Sequence, residues 1–403
     1  MQTSARYQAV LELIGEIFKD KQPADNILNA YFRSRRFIGS KDRRFITAEV
    51  WNIIRRRLRL EFEAQSNEAR KILLVYLKNS DINEIFFKTE YGLSPLTDEE
   101  REMISNLPQL SYPANVEAEC PQWLYDKIRD MSLLKSLNES ATADFRINTA
   151  DRNGLVRKML SEGFDVTPAP FSPIGVRAVQ RINLANCMCY QDGLIEPQDE
   201  ASQLAAILCD VKPYHKIIDY CCGAGGKSLA LAYLLQNKGK IYAHDVDFSR
   251  MDALEARMKR LQISNIEKIK TSQAGYDYDR FIIDAPCSGS GTWRRSPDAK
   301  FRLTPRRLRE LVEIQAKILD NAAERVKSGG RIIYITCSIL EEENRLQIAR
   351  FCKSHLDFDL VDIKNIWDKL IKTEFPFADK NCLAFNPLTT GTDGFFTAIL
   401  QKK

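Results

Sequence analysis

The chain has 403 residues, 59 Lys and Arg against 54 Asp and Glu for a formal net charge of +5, and 44% hydrophobic residues. That length accommodates two or three domains with real cores, no apolar run could span a bilayer, and the opening Met-Gln-Thr-Ser-Ala-Arg-Tyr has no hydrophobic signal region, so a soluble, cytoplasmic protein is expected. Three histidines (His215, His244, His355) argue against a histidine triad or metal centre, and ten cysteines without zinc-like pairs, Cys187-x-Cys189 included, predict free thiols in a reducing cytosol and no metal.

Val10, Leu13, Ile14 and Ile17 recur at helical spacing over residues 7–18, and Ile27, Leu28, Tyr31 and Phe32 form a second amphipathic segment, so the chain opens as a helix bundle. Residues 40–60 read as one further helix, with Ile46, Val50, Ile53, Ile54 and Leu58 inward and Arg55, Arg56, Arg57 and Arg59 mostly outward. Helices are also predicted over 67–78 and 81–89. Thr97-Asp-Glu-Glu100 is a capping box that opens another. Residues 107–122, with Pro108, Pro113 and Pro121, read as irregular connection, and there is no internal repeat.

Between Arg33 and Arg59 ten Lys/Arg meet only Asp42 and Glu49; a second cluster, Arg294, Arg295, Lys300, Arg302, Arg306, Arg307 and Arg309, is opposed by Asp298. One such run is ordinarily a solvated helix face. Two of them on a chain that also carries a cofactor loop point to a polyanion, most simply nucleic acid. Arg35, Arg36, Arg43, Arg44, Arg55, Arg56, Arg294, Arg295 and Lys300 are the residues expected to meet it.

From Ala143 the texture changes to a small α+β unit: a strand at Phe145-Arg-Ile-Asn-Thr, a helix over 152–163, and extended chain over 176–184. A helix capped by Asp199 or Glu200 follows. Lys216 to Asp219 is a short buried strand, and Ser228-Leu-Ala-Leu-Ala-Tyr-Leu-Leu is a helix to pack on a sheet. Beyond Asp245 the pattern alternates: helix 248–262, strands 266–270 and 280–285, helix 305–327 stopped by Gly329-Gly330, strand 331–336, helix 342–355 and a last strand at Phe395-Phe-Thr-Ala-Ile-Leu. Alternation of this kind predicts an α/β fold with a mostly parallel sheet covered on both faces.

The bend in Asp219-Tyr-Cys-Cys-Gly-Ala-Gly-Gly-Lys-Ser228 lets backbone approach a ligand through Gly223, Gly225 and Gly226 and aims unpaired helix N–H groups at it. A phosphate-binding P-loop needs glycine where Cys221 stands, and the dinucleotide spacing fails at Ser228. The fingerprint is weak enough that the dinucleotide reading stays open as a minor alternative to the third and preferred one, an S-adenosylmethionine site. An acid after the second strand would then hold the ribose, which selects Asp245 at the end of Lys240-Ile-Tyr-Ala-His-Asp; Asp247, one turn later, reads as a helix N-cap.

Ligands of a parallel sheet sit beyond the carboxyl ends of its strands. Two of those ends carry cysteine, in Asp284-Ala-Pro-Cys287-Ser-Gly-Ser-Gly and Thr336-Cys337-Ser338. Most buried cysteines are small hydrophobes, but methylation of cytosine carbon 5 needs a thiolate to add at carbon 6 first. Asp284 could assist that addition at ring nitrogen 3, and a second thiol could help the product leave. Glu341, Glu342 and Glu343 lie close after Cys337 and oppose its ionisation, so activation of the thiol has no explanation at this level.

At these residues the chain resembles the RsmB/Sun (Nop/Sun) family of RNA cytosine-C5 methyltransferases. The family's Asp-x-Cys-Ala-Ala-Pro-Gly-Gly-Lys-Thr is met by Asp219 to Ser228, its Asp-Ala-Pro-Cys-Ser-Gly-Thr-Gly by Asp284 to Gly291, and its Thr-Cys-Ser by Thr336 to Ser338. Lesser echoes are Gln198-Asp-Glu-Ala-Ser-Gln203, Arg294-Arg-Ser-Pro-Asp298 and Glu342-Glu343-Asn344. The resemblance implies a class I, Rossmann-like methyltransferase fold using S-adenosylmethionine, with Cys337 as nucleophile and Cys287 aiding product release. It implies that Asp219, Cys221, Cys222, Gly223, Ala224, Gly225, Gly226, Lys227, Asp245 and Asp284 bind cofactor, with Arg250 against the adenine. It also makes the helical N-terminus similar to a NusB-like RNA-binding domain.

The resulting expectation is a helical domain over residues 1–137, a small α+β (RRM-like) subdomain over 138–196 and a methyltransferase domain over 197–403. The whole would act as a monomeric RNA cytosine-C5 methyltransferase, on ribosomal RNA or, failing that, transfer RNA. Three departures keep a competitor open. Ala224 replaces the loop proline, Glu341 replaces a proline after Thr-Cys-Ser, and Lys270-Thr-Ser-Gln-Ala274 lacks an adenine-contacting acid, leaving Ser272 or Gln273 to substitute. The competitor is an RNA-binding assembly factor with a vestigial cofactor site; a methyltransferase for small molecules would leave both basic patches unexplained.

Overall fold

The computed structural model of the chain describes residues 1–87, 89–107, 111–180 and 182–403. Lys88, Pro108 and Arg181, which fall in three of the stretches read above, lie outside the described residues. Two compact units result: Met1–Glu139 together with Trp293–Thr304, and Ser140–Thr292 together with Pro305–Lys403. Among the described residues no helix is long and apolar enough to cross a membrane.

The first unit is helical, built on Thr3–Ile17, Ala24–Ser34, Ser40–Arg55, Arg57–Ala64 and Ala69–Tyr76. Its core takes the expected inward residues, Val10, Leu13, Ile14, Ile46, Val50, Ile53 and Ile54, all at 0–1% exposure. The Thr97–Glu100 capping box is present and opens the helix Asp98–Ser105. The helix expected over 40–60 instead breaks at Arg56 (φ −109°, ψ 16°). The break has a chemical cause. The buried carboxylate of Glu119 accepts from Leu58 N at 2.8 Å and Arg59 N at 3.3 Å, so it caps the second helix from outside. Residues 107–122 contain a short helix, Ala114–Glu117.

Trp293–Thr304, which by chain position falls in the third expected domain, packs in the helical unit. Asp298 Oδ2 accepts from Ala24 N at 3.1 Å, Lys300 Nζ donates to Asn138 Oδ1 at 2.8 Å, and the Arg57 guanidinium lies 4.8 Å from the Phe301 ring centroid.

The second unit begins with an antiparallel sheet of β1 (Ala143–Ile147), β2 (Val166–Pro168), β3 (Gly175–Ala178) and β4 (Ile195–Pro197), in the order β2-β3-β1-β4. The helix Arg152–Ser161 packs on it, and Asp199 caps Glu200–Leu208 by accepting from Ala201 N at 2.9 Å.

A larger sheet follows, of β5 (Lys216–Asp219), β6 (Lys240–His244), β7 (Ile266–Ile269), β8 (Tyr278–Asp284), β9 (Val326–Thr336), β10 (Phe358–Leu360), β11 (Cys382–Phe385) and β12 (Phe395–Lys402). Its order is β10-β12-β9-β8-β5-β6-β7, with β11 paired to β12. β9-β8-β5-β6-β7 are parallel, while β10, β11 and β12 add antiparallel pairs. Ile217, Ile218, Ile282 and Ile283 at its centre are fully buried, each contributing about 1.5–3 kcal/mol of apolar burial.

The expected stop at Gly329-Gly330 is corrected: the long helix, Pro305–Arg325, ends earlier, and the glycines lie within β9. There the register with β8 shifts between Tyr278 and Arg280, Gly329 has φ +75°, and a Cβ on Gly330 would sit 2.7 Å from Tyr278 O. The pair builds an irregular strand entry, with glycine favoured at 329 by its positive φ and at 330 by the lack of space for a Cβ.

Candidate active site

Strand β5 lies between β6 and β8, so the chain runs to one side of β5 and later to the other. A crevice opens at such a switch point, beyond the carboxyl ends of the strands. Asp219 closes β5, Asp245 follows β6, Asp284 closes β8 and Cys337 follows β9. Register ties them together, since Asp219 aligns with Ala243 and Ile282, and Asp284 with Ile335.

The loop after β5 is shaped by two left-handed glycines, Gly223 (φ +52°) and Gly225 (φ +81°). A Cβ on Gly225 would meet Leu254 Cδ1 at 2.4 Å, so both φ and space demand glycine there. Gly226 then starts the helix Gly226–Leu234. Cys222 is buried, Cys221 partly so, and Ala224 is exposed with its carbonyl accepting from Arg257. Burial pushes the Cys221 thiol well up, which makes it packing rather than a nucleophile.

Asp245 Oδ2 accepts from Gly223 N at 2.9 Å and from Arg250 Nη1 at 3.2 Å, and its Oδ1 accepts from Asp247 N at 3.0 Å. Asp247 itself caps the turn Phe248–Met251 through Ser249 N. Arg250 is exposed apart from its pairing with Asp245. Gln273 Oε1 accepts from its own turn, at Lys270 N (2.8 Å), so Gln273 is committed to its own backbone.

Asp219 is fully buried; its Oδ2 accepts from Ser228 Oγ at 2.6 Å, while Oδ1 has no partner among the described residues. Burial pushes this carboxyl up to about 7, partly countered by the Ser228 bond. Lys227, also buried, places Nζ 2.7 Å from Asp284 Oδ2 and 5.3 Å from the Phe395 ring centroid. Burial alone would discharge this ammonium, yet Asp284 outweighs it and holds the lysine above its ordinary value.

The Cys287 and Cys337 sulfurs are 3.3 Å apart. The Cys337 sulfur as acceptor, followed by burial and then the nearby Glu343, drives Cys287 well above the usual thiol range. The raised Cys287 thiol favours its protonated form, and in the contact between the two sulfurs either can be the donor.

Glu343 holds both cysteine loops and was not singled out from the sequence. It is fully buried, and four donors converge on it: Ser288 N at 2.8 Å, Gln315 Nε2 at 2.9 Å, and the hydroxyls of Ser288 and Ser338 at 2.5 Å each. That is the full complement a carboxylate accepts. Asn344 adds bonds to Thr336 Oγ1 (2.6 Å) and Ser338 O (2.8 Å). The signals in the sequence were the Glu342-Glu343-Asn344 echo and the place of Glu343 among the three acids that closely follow Cys337. Gly291 and Gly394 were also passed over. Gly394 N donates to Gly291 O at 2.8 Å, Gly291 N to Cys337 O at 3.0 Å, and a Cβ on Gly291 would lie 1.9 Å from Gly394 O.

The expected RNA contacts divide. Arg36, Arg44 and Arg56 are exposed, and Arg35, Arg43 and Arg295 partly so. Lys300 and Arg294 are corrected: they are 2% and 8% exposed, and burial brings the Lys300 ammonium down to about 8. An enclosed cation cannot reach a phosphate. Arg55 spends its guanidinium on the carbonyls of Asn138 (2.8 Å), Glu139 (3.1 Å) and Arg294 (2.5 Å), a structural clamp within the helical unit.

The donor set fits S-adenosylmethionine. Three carboxylates ring the loop, which disfavours a phosphate, and Asp219 Oδ1 is a buried acceptor with no partner among the described residues.

A family model described as 16S rRNA methyltransferase RsmB/F matches residues 206–401. The probable ribosomal RNA small subunit methyltransferase B of Bacillus subtilis (strain 168) is 34% identical over 263 residues, covering 63% of this chain and 58% of that protein. The ribosomal RNA small subunit methyltransferase B of Photorhabdus laumondii is 30% identical over 303 residues, 70% of this chain and 66% of that protein. The chain thus spans less than two thirds of the length of these relatives. The crystal structure of PH0851 superposes with a TM-score of 0.79 at 24% identity, covering 100% of this chain and 99% of that one. The fold is that of Rossmann-like class I methyltransferases.

Proposed function

The chain belongs to the RsmB/F methyltransferase family through residues 206–401, and from that membership and the site we propose that it methylates carbon 5 of a cytosine in ribosomal RNA. The observation that carries the reading is the 3.3 Å approach of Cys287 and Cys337 at the tips of adjacent strands, beside a loop fit for S-adenosylmethionine. S-adenosylmethionine supplies the methyl group as a sulfonium. Asp219 and the loop Cys221–Lys227 would hold its amino-acid end, and Asp245, fixed by Gly223 and Arg250, would accept from its ribose.

Cys337 adds as thiolate to carbon 6 of the base, forming a C–S bond and making carbon 5 nucleophilic. Asp284 in its protonated form would deliver a proton to ring nitrogen 3 as the sulfur adds, so the ring gains no net negative charge, and Lys227 at 2.7 Å stabilises the carboxylate left behind until it takes that proton back. Once carbon 5 carries the methyl group, its proton passes to the Cys287 sulfur as the S–H proton of Cys287 moves on to Cys337, the C–S bond breaks, and the Cys337 sulfur departs with the bonding pair. The Cys287 S–H, held protonated by its surroundings, donates to that departing sulfur. All ten cysteines are free.

Incubation with unmodified ribosomal RNA and labelled methyl donor tests the assignment. Cys337→Ala is expected to lose transfer, and Cys287→Ala to accumulate a protein–RNA complex stable in denaturant. Turnover by Cys337→Ala at the wild-type rate would overturn the role of that thiol, and a Cys287→Ala protein that releases product normally would overturn the other.

A further inference from the structure

Arg-Arg-Phe-Ile occurs twice in the chain, at residues 35–38 and 43–46. In both copies the isoleucine is buried, Ile38 at 1% and Ile46 at 0% exposure. The phenylalanines part company. Phe45 sits edge-on to Tyr7 at 5.4 Å with Arg6 5.3 Å from its centroid, whereas Phe37, at the turn between the helices Ala24–Ser34 and Ser40–Arg55, is 78% exposed. A second aromatic, Tyr91, is 73% exposed. Both line one cleft of about 810 Å³, with Tyr31 and Arg35 in its wall. The Arg35 guanidinium already lies 3.8 Å from the Tyr31 ring centroid. Arg33, Arg36, Lys41 and Arg44 are exposed along the same stretch of chain.

We propose that this cleft of the helical unit is a single-strand RNA subsite, in which an unpaired base stacks on Phe37 and Tyr91 while the adjoining phosphates meet Arg36 and Arg44. Cleft volume falls within the roughly 300–1,000 Å³ that encloses small ligands, and exposed aromatics among arginines are the means by which proteins hold single strands. Two carboxylates also line the cleft, Glu12 and Glu90. Glu12 is engaged by Tyr31 Oη at 2.8 Å and Glu90 by Tyr91 Oη at 2.7 Å. Their charge repels phosphate from the interior, so the base enters and the backbone stays on the arginine rim.

The subsite rests on the RNA reading above but is separable from it. Binding of a short fluorescein-labelled single-stranded RNA to the full-length chain is measured by anisotropy across a salt series. Phe37→Ala and Tyr91→Ala, both at exposed positions, are expected to weaken binding roughly 5- to 100-fold each with the salt slope unchanged, and Phe37→Tyr to restore it. Arg36→Ala with Arg44→Ala is expected to lower the salt slope. Wild-type affinity in both aromatic variants, with a loss confined to the arginine pair, would overturn the stacking cleft and leave the surface to charge alone or to a protein partner. If the unaltered chain binds the methyl donor but no RNA, the RNA reading itself falls and the subsite with it.

Discussion

Replacing Glu343 by glutamine removes one charge and one acceptor from a site where four donors meet. The two oxygens are not equivalent: Oε1 serves Ser288 N and Gln315 Nε2, and Oε2 serves the hydroxyls of Ser288 and Ser338. The backbone N–H of Ser288 cannot reverse its role, but hydroxyls can accept as well as donate. The glutamine amide therefore turns its NH₂ toward the serines and keeps its oxygen for Ser288 N and Gln315.

Every bond survives in some form, but each loses charge assistance, from about 1.5–3 to about 0.5–1.5 kcal/mol apiece. Relief of carboxylate burial offsets part of that loss, leaving a net destabilisation of about 2–4 kcal/mol. Glu343→Ala, which strands the donors, should cost more. Because the residue positions the loops that carry both sulfurs, a displacement near 1 Å would slow transfer on the order of 100-fold. Urea unfolding gives the stability. Single-turnover methyl transfer gives the rate, and donor binding should be unchanged. One further readout separates positioning from bulk stability: with the carboxylate gone, Cys287 should alkylate at lower pH than in the unaltered protein, since Glu343 is among the groups that raise it. A Glu343→Gln protein within about 0.5 kcal/mol of the original in stability, with unaltered transfer and unaltered alkylation, would refute the reasoning.

Asp219→Asn should weaken donor binding yet stabilise the fold above neutrality. A carboxyl raised to about 7 binds its proton more tightly folded than unfolded, so the contribution of Asp219 to stability is full below about pH 4 and is lost as pH rises toward 7. Melting temperatures at pH 5 and pH 8 check the sign: the advantage of the asparagine variant should grow with pH, and an advantage that shrinks would contradict the burial argument. Gly394→Ala places a Cβ 2.6 Å from Gly291 Cα and 2.7 Å from Ile339 Cγ2, so the Cys287–Gly291 loop must shift. A fall in transfer on the order of 100-fold with donor affinity preserved is expected, and an unaffected rate would show the glycine contact to be dispensable. The double variant Cys337→Ala/Cys287→Ala should form no denaturant-stable RNA complex, because trapping requires the attacking sulfur; a complex seen on a gel would assign the attack elsewhere.

Much of the site was legible in the chain because its chemistry is local. The glycines of the loop, Asp245 after its strand, and the cysteines of Asp-Ala-Pro-Cys and Thr-Cys-Ser lie where strand ends must lie once the alternation is read. The outward arginines of residues 33–59 were legible only in part. Their helical spacing was right, but Arg55 had three carbonyls to satisfy, and the break at Arg56 depends on Glu119, a residue distant in sequence. Lys300 and Arg294 were misread because charge in sequence says nothing about enclosure. The segment carrying them folds against the helical unit, where Lys300 bonds Asn138, 162 residues earlier, and Asp298 bonds Ala24 N, 274 residues earlier.

The sequence by itself determined the type of strand-loop-helix, a mostly parallel sheet, and the cysteines and acids at the strand ends as candidates, since these follow from periodicity and turn chemistry. Only the tertiary structure decided that Glu343 gathers both cysteine loops, that Gly291 and Gly394 touch through backbone, and that one of two identical tetrapeptides keeps its phenylalanine in water. The reason is the same in each case: a hydrogen bond or a close approach between residues far apart in the chain is set by packing, and packing leaves no periodic trace in the residues that take part in it.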